Sequence, residues 1–154
     1  MEKYSHGAFQ VTGLKITTTN KNDQMHTDIG ALWEKFMAEK VADKILHKAF
    51  PGLHMVYFNY TNPENFEERG YDVLMGYVTE ENSTQTDPSL ITINILAQDY
   101  EYVTVNSPLP ENLIAEWKKV NSMTKEECNR VYGYDLDMYG EDMKTVTLTV
   151  SVNK

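Results

Sequence analysis

Two tryptophans, Trp33 and Trp117, stand 84 residues apart, each inside an apolar stripe of helical spacing. The first stripe is Ile29, Leu32, Trp33 and Phe36; the second is Leu113, Trp117 and Val120. Residues three and four apart share one helix face, so each stripe predicts a helix with one buried side. Each is followed by a tyrosine-bearing strand pattern, Val56-Tyr57-Phe58-Asn59-Tyr60 in the first half and Asp135-Leu136-Asp137-Met138-Tyr139 in the second. An alternating strand then closes each half, Tyr71 to Thr79 and Thr145 to Val152. The order strand, helix, strand, strand used twice predicts an α+β fold of two βαββ repeats, about 8–80 and 90–153. We expect pseudo-two-fold symmetry, a mostly antiparallel sheet with two helices on one face, and a ligand groove between the halves.

The chain of 154 residues is long enough for one compact domain with its own core. Cys128 is its only cysteine, so no internal disulfide can form, and a reducing, cytoplasmic setting is the default expectation. No apolar run reaches membrane-spanning length, and Met1 to His6 lacks the apolar stretch of a secretory signal. The net charge of −9 is spread over both halves: residues 1–84 carry 8 basic and 12 acidic groups, residues 85–154 carry 6 and 11. The densest basic spot is the pair Lys118-Lys119, which is too little for phosphate-driven affinity, so direct nucleic-acid binding is not expected.

Along the chain, Phe9 to Thr18 reads as a strand with a bulge at Gly13, where the alternation slips. A helix capped by Thr27 or Asp28 is predicted to run to about Ala49 and to end at Pro51-Gly52. Strands are expected over Met55–Thr61 and Tyr71–Thr79, with the polar run from Glu80 to Pro88 joining the halves. Leu90 to Leu96 and Tyr100 to Val105 read as one strand kinked at Ala97-Gln98-Asp99. A second helix spans about Glu111 to Ser122, and Thr124-x-x-Glu127 has the form of a capping box. Strands over Arg130–Tyr139 and Lys144–Val152 end the chain, the last one with a polar face of Thr145, Thr147, Thr149 and Ser151.

These stretches, in this order, resemble the effector-binding domain of AraC-family and MerR-family transcription regulators, the gyrase-inhibitor-like (GyrI-like) family. The similarity is carried by Phe9 to Leu14, Ile29 to Phe36, Val56 to Tyr60 with Tyr71 to Gly76, Ile95-Leu96-Ala97-Gln98-Asp99-Tyr100, and Tyr134 to Tyr139. The family often has Glu where this chain has Asp137. The matching region starts within about ten residues of Met1, which leaves no room for a regulator's helix-turn-helix and suggests a free-standing form. The resemblance implies a non-catalytic module that binds hydrophobic, cationic compounds. It also implies two alternatives: a hydrolase of reactive cyclopropane-bearing compounds, or an inhibitor that binds a DNA-handling enzyme as its protein partner.

The candidate ligand-binding residues are Trp33, Phe36, Tyr60, Tyr77, Trp117, Asp137 and Tyr139. Repeat correspondence sets Tyr60 opposite Tyr139 and Trp33 opposite Trp117, while the period of two puts Asp137 and Tyr139 on one strand face. Aromatic faces attract a cation and a carboxylate neutralises it, so this set suits a lipophilic cation. The same rings also fit ordinary core packing, and Asp99, Glu101 and Asp135 compete with Asp137 as the groove acid. Pairing of Asp137 with Arg130 is open. In a hydrolase, Asp137 would act as general base with Tyr60 or Tyr139 as proton donor. His6, His26, His47 and His54 have no metal-binding spacing, and no phosphate loop is present, so no metal or cofactor is expected. Cys128, flanked by Glu126 and Glu127, lacks the positive surroundings of a nucleophile.

Overall fold

A computed structural model of the protein describes residues 1–153. Eight strands form one sheet: β1 (Glu2–His6), β2 (Phe9–Thr19), β3 (Lys48–Thr61), β4 (Gly70–Thr79), β5 (Ile91–Ile95), β6 (Gln98–Asn106), β7 (Asp135–Tyr139) and β8 (Thr145–Val152). The helices are α1 (Gln24–Ala38), the short α2 (Val41–Lys44) and α3 (Glu111–Asn121). The strand order is β1-β6-β8-β7-β3-β4-β2-β5, and every pairing is antiparallel. The order β2-β4-β3 of the first half is met by β7-β8-β6 of the second, which is the expected pseudo-two-fold relation. β3 and β7 meet at its centre through four residue pairs, His54 with Met138 to Tyr57 with Asp135.

The sheet is curled, and chain length requires it. β1 and β2 lie six strand positions apart, as do β5 and β6, a distance of about 29 Å in a flat sheet. Only Gly7-Ala8 and Leu96-Ala97 connect them, a reach of at most about 11 Å. The two ends must therefore bend toward each other. This corrects the reading of 90–105 as one kinked strand: β5 pairs with β2 and β6 with β8, at opposite ends of the sheet. The opening strands are exchanged in the process, since β1 precedes β2 but pairs with β6.

Curling covers both sheet faces. Inside the curl, Val11, Val56, Phe58, Leu74, Ile95, Tyr100 and Leu136 pack together. On the other face, Leu14, Leu53, Met55, Val73 and Met75 lie under Leu32 and Phe36 of α1, while Val146, Leu148 and Val150 lie under Leu113 and Val120 of α3. Thr149 and Ser151, expected on a polar face, are fully buried for the same reason. So is the run Val73-Leu74-Met75, which shows no alternation.

Gly13 is not a bulge. It pairs with Gly76 in an unbroken β2–β4 register, and the alternation slips there because both faces are apolar. A Cβ on Gly13 would lie 1.9 Å from the Met75 carbonyl oxygen, and one on Gly76 1.8 Å from that of Thr12. The first helix also differs from expectation. It starts at Gln24, and Asp28 accepts hydrogen bonds from Thr18 Oγ1 (2.8 Å) and Gln24 Nε2 (3.1 Å) instead of capping. It breaks at Lys40, whose φ is 50°, and residues 48–54 belong to β3. Pro51-Gly52 falls where the β3–β4 register shifts between Lys48 and Leu53, a place that tolerates the missing N–H. Arg130 makes only an isolated bridge to Val152, so β7 begins at Asp135. The capping box forms as expected: the Thr124 amide donates to Glu127 Oε1 (2.9 Å) and the Glu127 amide to Thr124 Oγ1 (3.3 Å).

Two glycine substitutions should act in opposite directions. Gly76→Ala is expected to cost at least about 3 kcal/mol, because the obstructing atoms are backbone and cannot repack. Gly30→Ala, in α1 with nothing within 4 Å of the new methyl, should stabilise by about 0.5–1 kcal/mol. Urea denaturation of both variants checks the pair.

Candidate functional site

A cavity of about 500 Å³ opens on the helix-bearing face where the two halves meet. Its walls come from α1 (Met25, Ile29, Trp33), α3 (Leu113, Trp117, Asn121), β3 (Tyr57, Tyr60) and β7 (Asp137, Tyr139). Arg69, Tyr71, Arg130 and, near the rim, Phe66 and Ile114 complete it. Of the residues expected from sequence, Trp33, Tyr60, Trp117, Asp137 and Tyr139 line this space. Phe36 does not: it is 2% exposed in the core under α1. Tyr77 is also outside, with its ring 6.4 Å from Phe36 and the Lys48 ammonium 5.2 Å from its centroid.

The aromatic walls cross the pseudo-axis. Trp33 of the first half packs edge-on against Tyr139 of the second, with centroids 5.5 Å apart. Trp117 of the second half packs edge-on against Tyr57 of the first, at 5.6 Å. Tyr139 therefore corresponds to Tyr57, not Tyr60, and Met55 to Asp137, which are register partners on the axis. Tyr57 is the main residue missed from sequence, and matching the two strands by their pairing would have found it. Tyr60 reaches the same cavity, at an odd separation from Tyr57, because β3 shifts register between Phe58 and Thr61, with Asn59 at φ 53°.

Asp137 lies at the cavity base and is 1% exposed. The Tyr57 hydroxyl donates to its Oδ2 (2.6 Å) and the Trp117 indole N–H to its Oδ1 (2.9 Å). Among the described residues no cation pairs with it. Burial pushes its carboxyl up to about 7, against the pull of those two hydrogen bonds. Burial and then the neighbouring carboxylate hold the Tyr57 and Tyr139 hydroxyls well above the usual tyrosine range, so both stay protonated.

The competing acids are placed elsewhere. Asp135 is neutralised: Arg130 donates to its Oδ2 (2.9 Å), as does the Tyr60 hydroxyl (2.7 Å), and the Ser151 amide donates to its Oδ1 (2.8 Å). Arg130 thus pairs with Asp135 and leaves Asp137 alone. Asp99 accepts from the Ser5 hydroxyl on the β1–β6 pair, and Glu101 lies by Cys128; neither lines the cavity. Burial, with Glu101 next, raises the Cys128 thiol to about 11, which suits an inert core position.

The sequence profile of Cass2, the integron-associated effector binding proteins, matches residues 6–152. The chain belongs to this family. Its fold is shared with the integron cassette protein from the Vibrio cholerae mobile metagenome, at 24% identity and a TM-score of 0.73, covering 99% of this chain and 95% of that one. SAV2435, solved bound to tetraphenylphosphonium, is similar at 12% identity and a TM-score of 0.75, with 99% and 93% covered. A Staphylococcus aureus MU50 protein assigned to transcription regulation is similar at 11% identity and a TM-score of 0.72, with 99% and 97% covered. No curated protein sequence matches the chain significantly. Membership makes this an effector-binding fold of the gyrase-inhibitor-like type. Among the described residues, no helix is long and apolar enough to cross a membrane, and no His, Cys, Asp or Glu cluster could hold a metal ion.

The buried acid gives this effector-binding fold a defined pH response. Asp137 titrates near 3.8 when unfolded and near 7 when folded, so folding takes up a proton between those values. Its contribution to stability therefore falls as pH rises through that window. Asp137→Asn should flatten the decline by up to about 1.4 kcal/mol per pH unit, measured by thermal denaturation across the window.

Proposed function

We propose that the cavity binds hydrophobic organic cations, with the aromatic walls supplying affinity and Asp137 supplying charge selectivity. The observation that carries this reading is a buried carboxylate without a counter-cation at the base of an aromatic cavity. An acid in that position is costly to ionise alone and is stabilised when a cation enters. The rings offer edge-to-face walls and cation–π faces worth about 0.5–2 kcal/mol each. A fold relative bound to tetraphenylphosphonium is consistent with such a ligand.

Tetraphenylphosphonium should bind more tightly than neutral triphenylphosphine oxide or the similarly shaped anion tetraphenylborate, as read by calorimetry. Asp137→Asn should weaken the phosphonium by about 1–3 kcal/mol and leave the neutral compound nearly unchanged. Trp33→Ala and Tyr57→Ala should weaken both. Ionisation of Asp137 near 7 should make phosphonium affinity rise as pH increases through that value, with proton release on binding below it. Phosphonium affinity that is flat with pH and indifferent to Asp137→Asn would remove the acid from the site.

A hydrolytic reading rests on the same group. A carboxyl at about 7 has the basicity of a general base toward water, and a protonated tyrosine hydroxyl lies 2.6 Å from it. Incubation with an electrophilic cyclopropane compound, followed by mass spectrometry, separates the readings. Binding without any water-addition product favours the non-catalytic module.

A further inference from the structure

Asp137 is not the only unbalanced charge in the cavity wall. Arg69, just before β4, and Arg130, between α3 and β7, enter it from different halves. Their guanidiniums flank the Tyr132 ring at 5.0 and 4.4 Å and share Asn121 Oδ1 at 3.0 and 2.9 Å. One carboxylate, Asp135, serves both, and it is bonded to Arg130. Arg69, 5% exposed, forms no ion pair among the described residues. Its other bonds go to the Pro63 carbonyl (2.8 Å) and, at a long 3.4 Å, to the Tyr132 hydroxyl. Arg130 Nε is buried and has no acceptor at all.

Arg69 is thus a buried guanidinium bonded only to neutral oxygens, and such a charge is unfavourable unless an anion completes it. The place of Arg69 in the cavity wall says where the completing group enters. The planar fork of a guanidinium suits a carboxylate or a comparable anionic acceptor. Trp117 links the two ends: its N–H is on Asp137, and the Arg130 guanidinium lies 5.8 Å from its ring. Groups of opposite charge thus border one aromatic wall.

We infer that the cavity is built for an amphoteric aromatic ligand, with its cationic body over Asp137 and an anionic acceptor group at Arg69 and Arg130. The inference rests on the reading of the cavity as a site for hydrophobic cations, and names a further feature of the ligand.

Rhodamine B carries a cationic xanthene and a free carboxylate; its ethyl ester keeps the cation and loses the anion. Fluorescence anisotropy of the intact protein with each dye, at mildly alkaline pH, tests the inference. The acid should bind about tenfold more tightly than the ester, the gain expected of a charge-assisted contact. Arg69→Gln should bring that ratio to about one by weakening the acid and sparing the ester, while Asp137→Asn should weaken both dyes alike. The wild-type ratio needs no variant and stands even if Arg69→Gln fails to fold. An ester that binds as tightly as the acid overturns the inference. Tetraphenylphosphonium bound with neither dye bound overturns it alone, whereas loss of all three overturns the cation reading as well.

Discussion

The central pairing of β3 with β7 is the contact on which the rest of the molecule depends. Its four residue pairs join the two halves at the pseudo-axis and set Asp137 beside Met55, at the base of the cavity between the helices. Moving the register by one residue would turn Asp137 and Tyr139 to the inner face and replace them with Leu136 and Met138. The curl protects that register. Exchange of β1 and β5 between the ends ties each half to the other a second and third time. The Gly13–Gly76 pair lets β2 and β4 approach where side chains would obstruct them.

Symmetry builds the walls of the site, and broken symmetry gives it chemistry. Trp33 on Tyr139 and Trp117 on Tyr57 are equivalent contacts, each crossing from one half to the other. Tyr139 also packs against both helix-side cores, so the wall is continuous with the structure that holds it. The axis position itself carries Met in one half and Asp in the other. A carboxylate there cannot reach water, so its state depends on what occupies the cavity. The Arg69–Arg130–Asp135 cluster adds an opposite polarity from the flank, where one carboxylate faces two guanidiniums.

The site residues differed in how readable they were. Trp33 and Trp117 were legible because helical spacing and their matched positions do not depend on distant contacts. Asp137 and Tyr139 followed from strand alternation once a strand was assigned. Phe36 and Tyr77 were misplaced since a stripe says which face is buried, not whether a core or a cavity buries it. Tyr57 was overlooked, and Tyr60 reaches the cavity without being the counterpart of Tyr139, because the register shift near Asn59 changes the facing of the strand partway along. Arg69 has no sequence signal at all. It is 5% exposed only because Phe66, Tyr132 and Asn121 converge on it from other segments.

By itself the sequence determined two βαββ units, their helices and most of their strands, through local periodicities that each segment carries alone. It also determined that two tryptophans and a tyrosine-rich strand from each half would be available to a groove. Tertiary structure decided the curl, the exchange of β1 and β5, and which acid is left without a cation. Those outcomes depend on contacts between residues far apart in the chain: Arg130 could pair with Asp135 or Asp137 on composition alone. Only the fold, by carrying Arg130 to Asp135 and burying Asp137 under Tyr57 and Trp117, settled the choice.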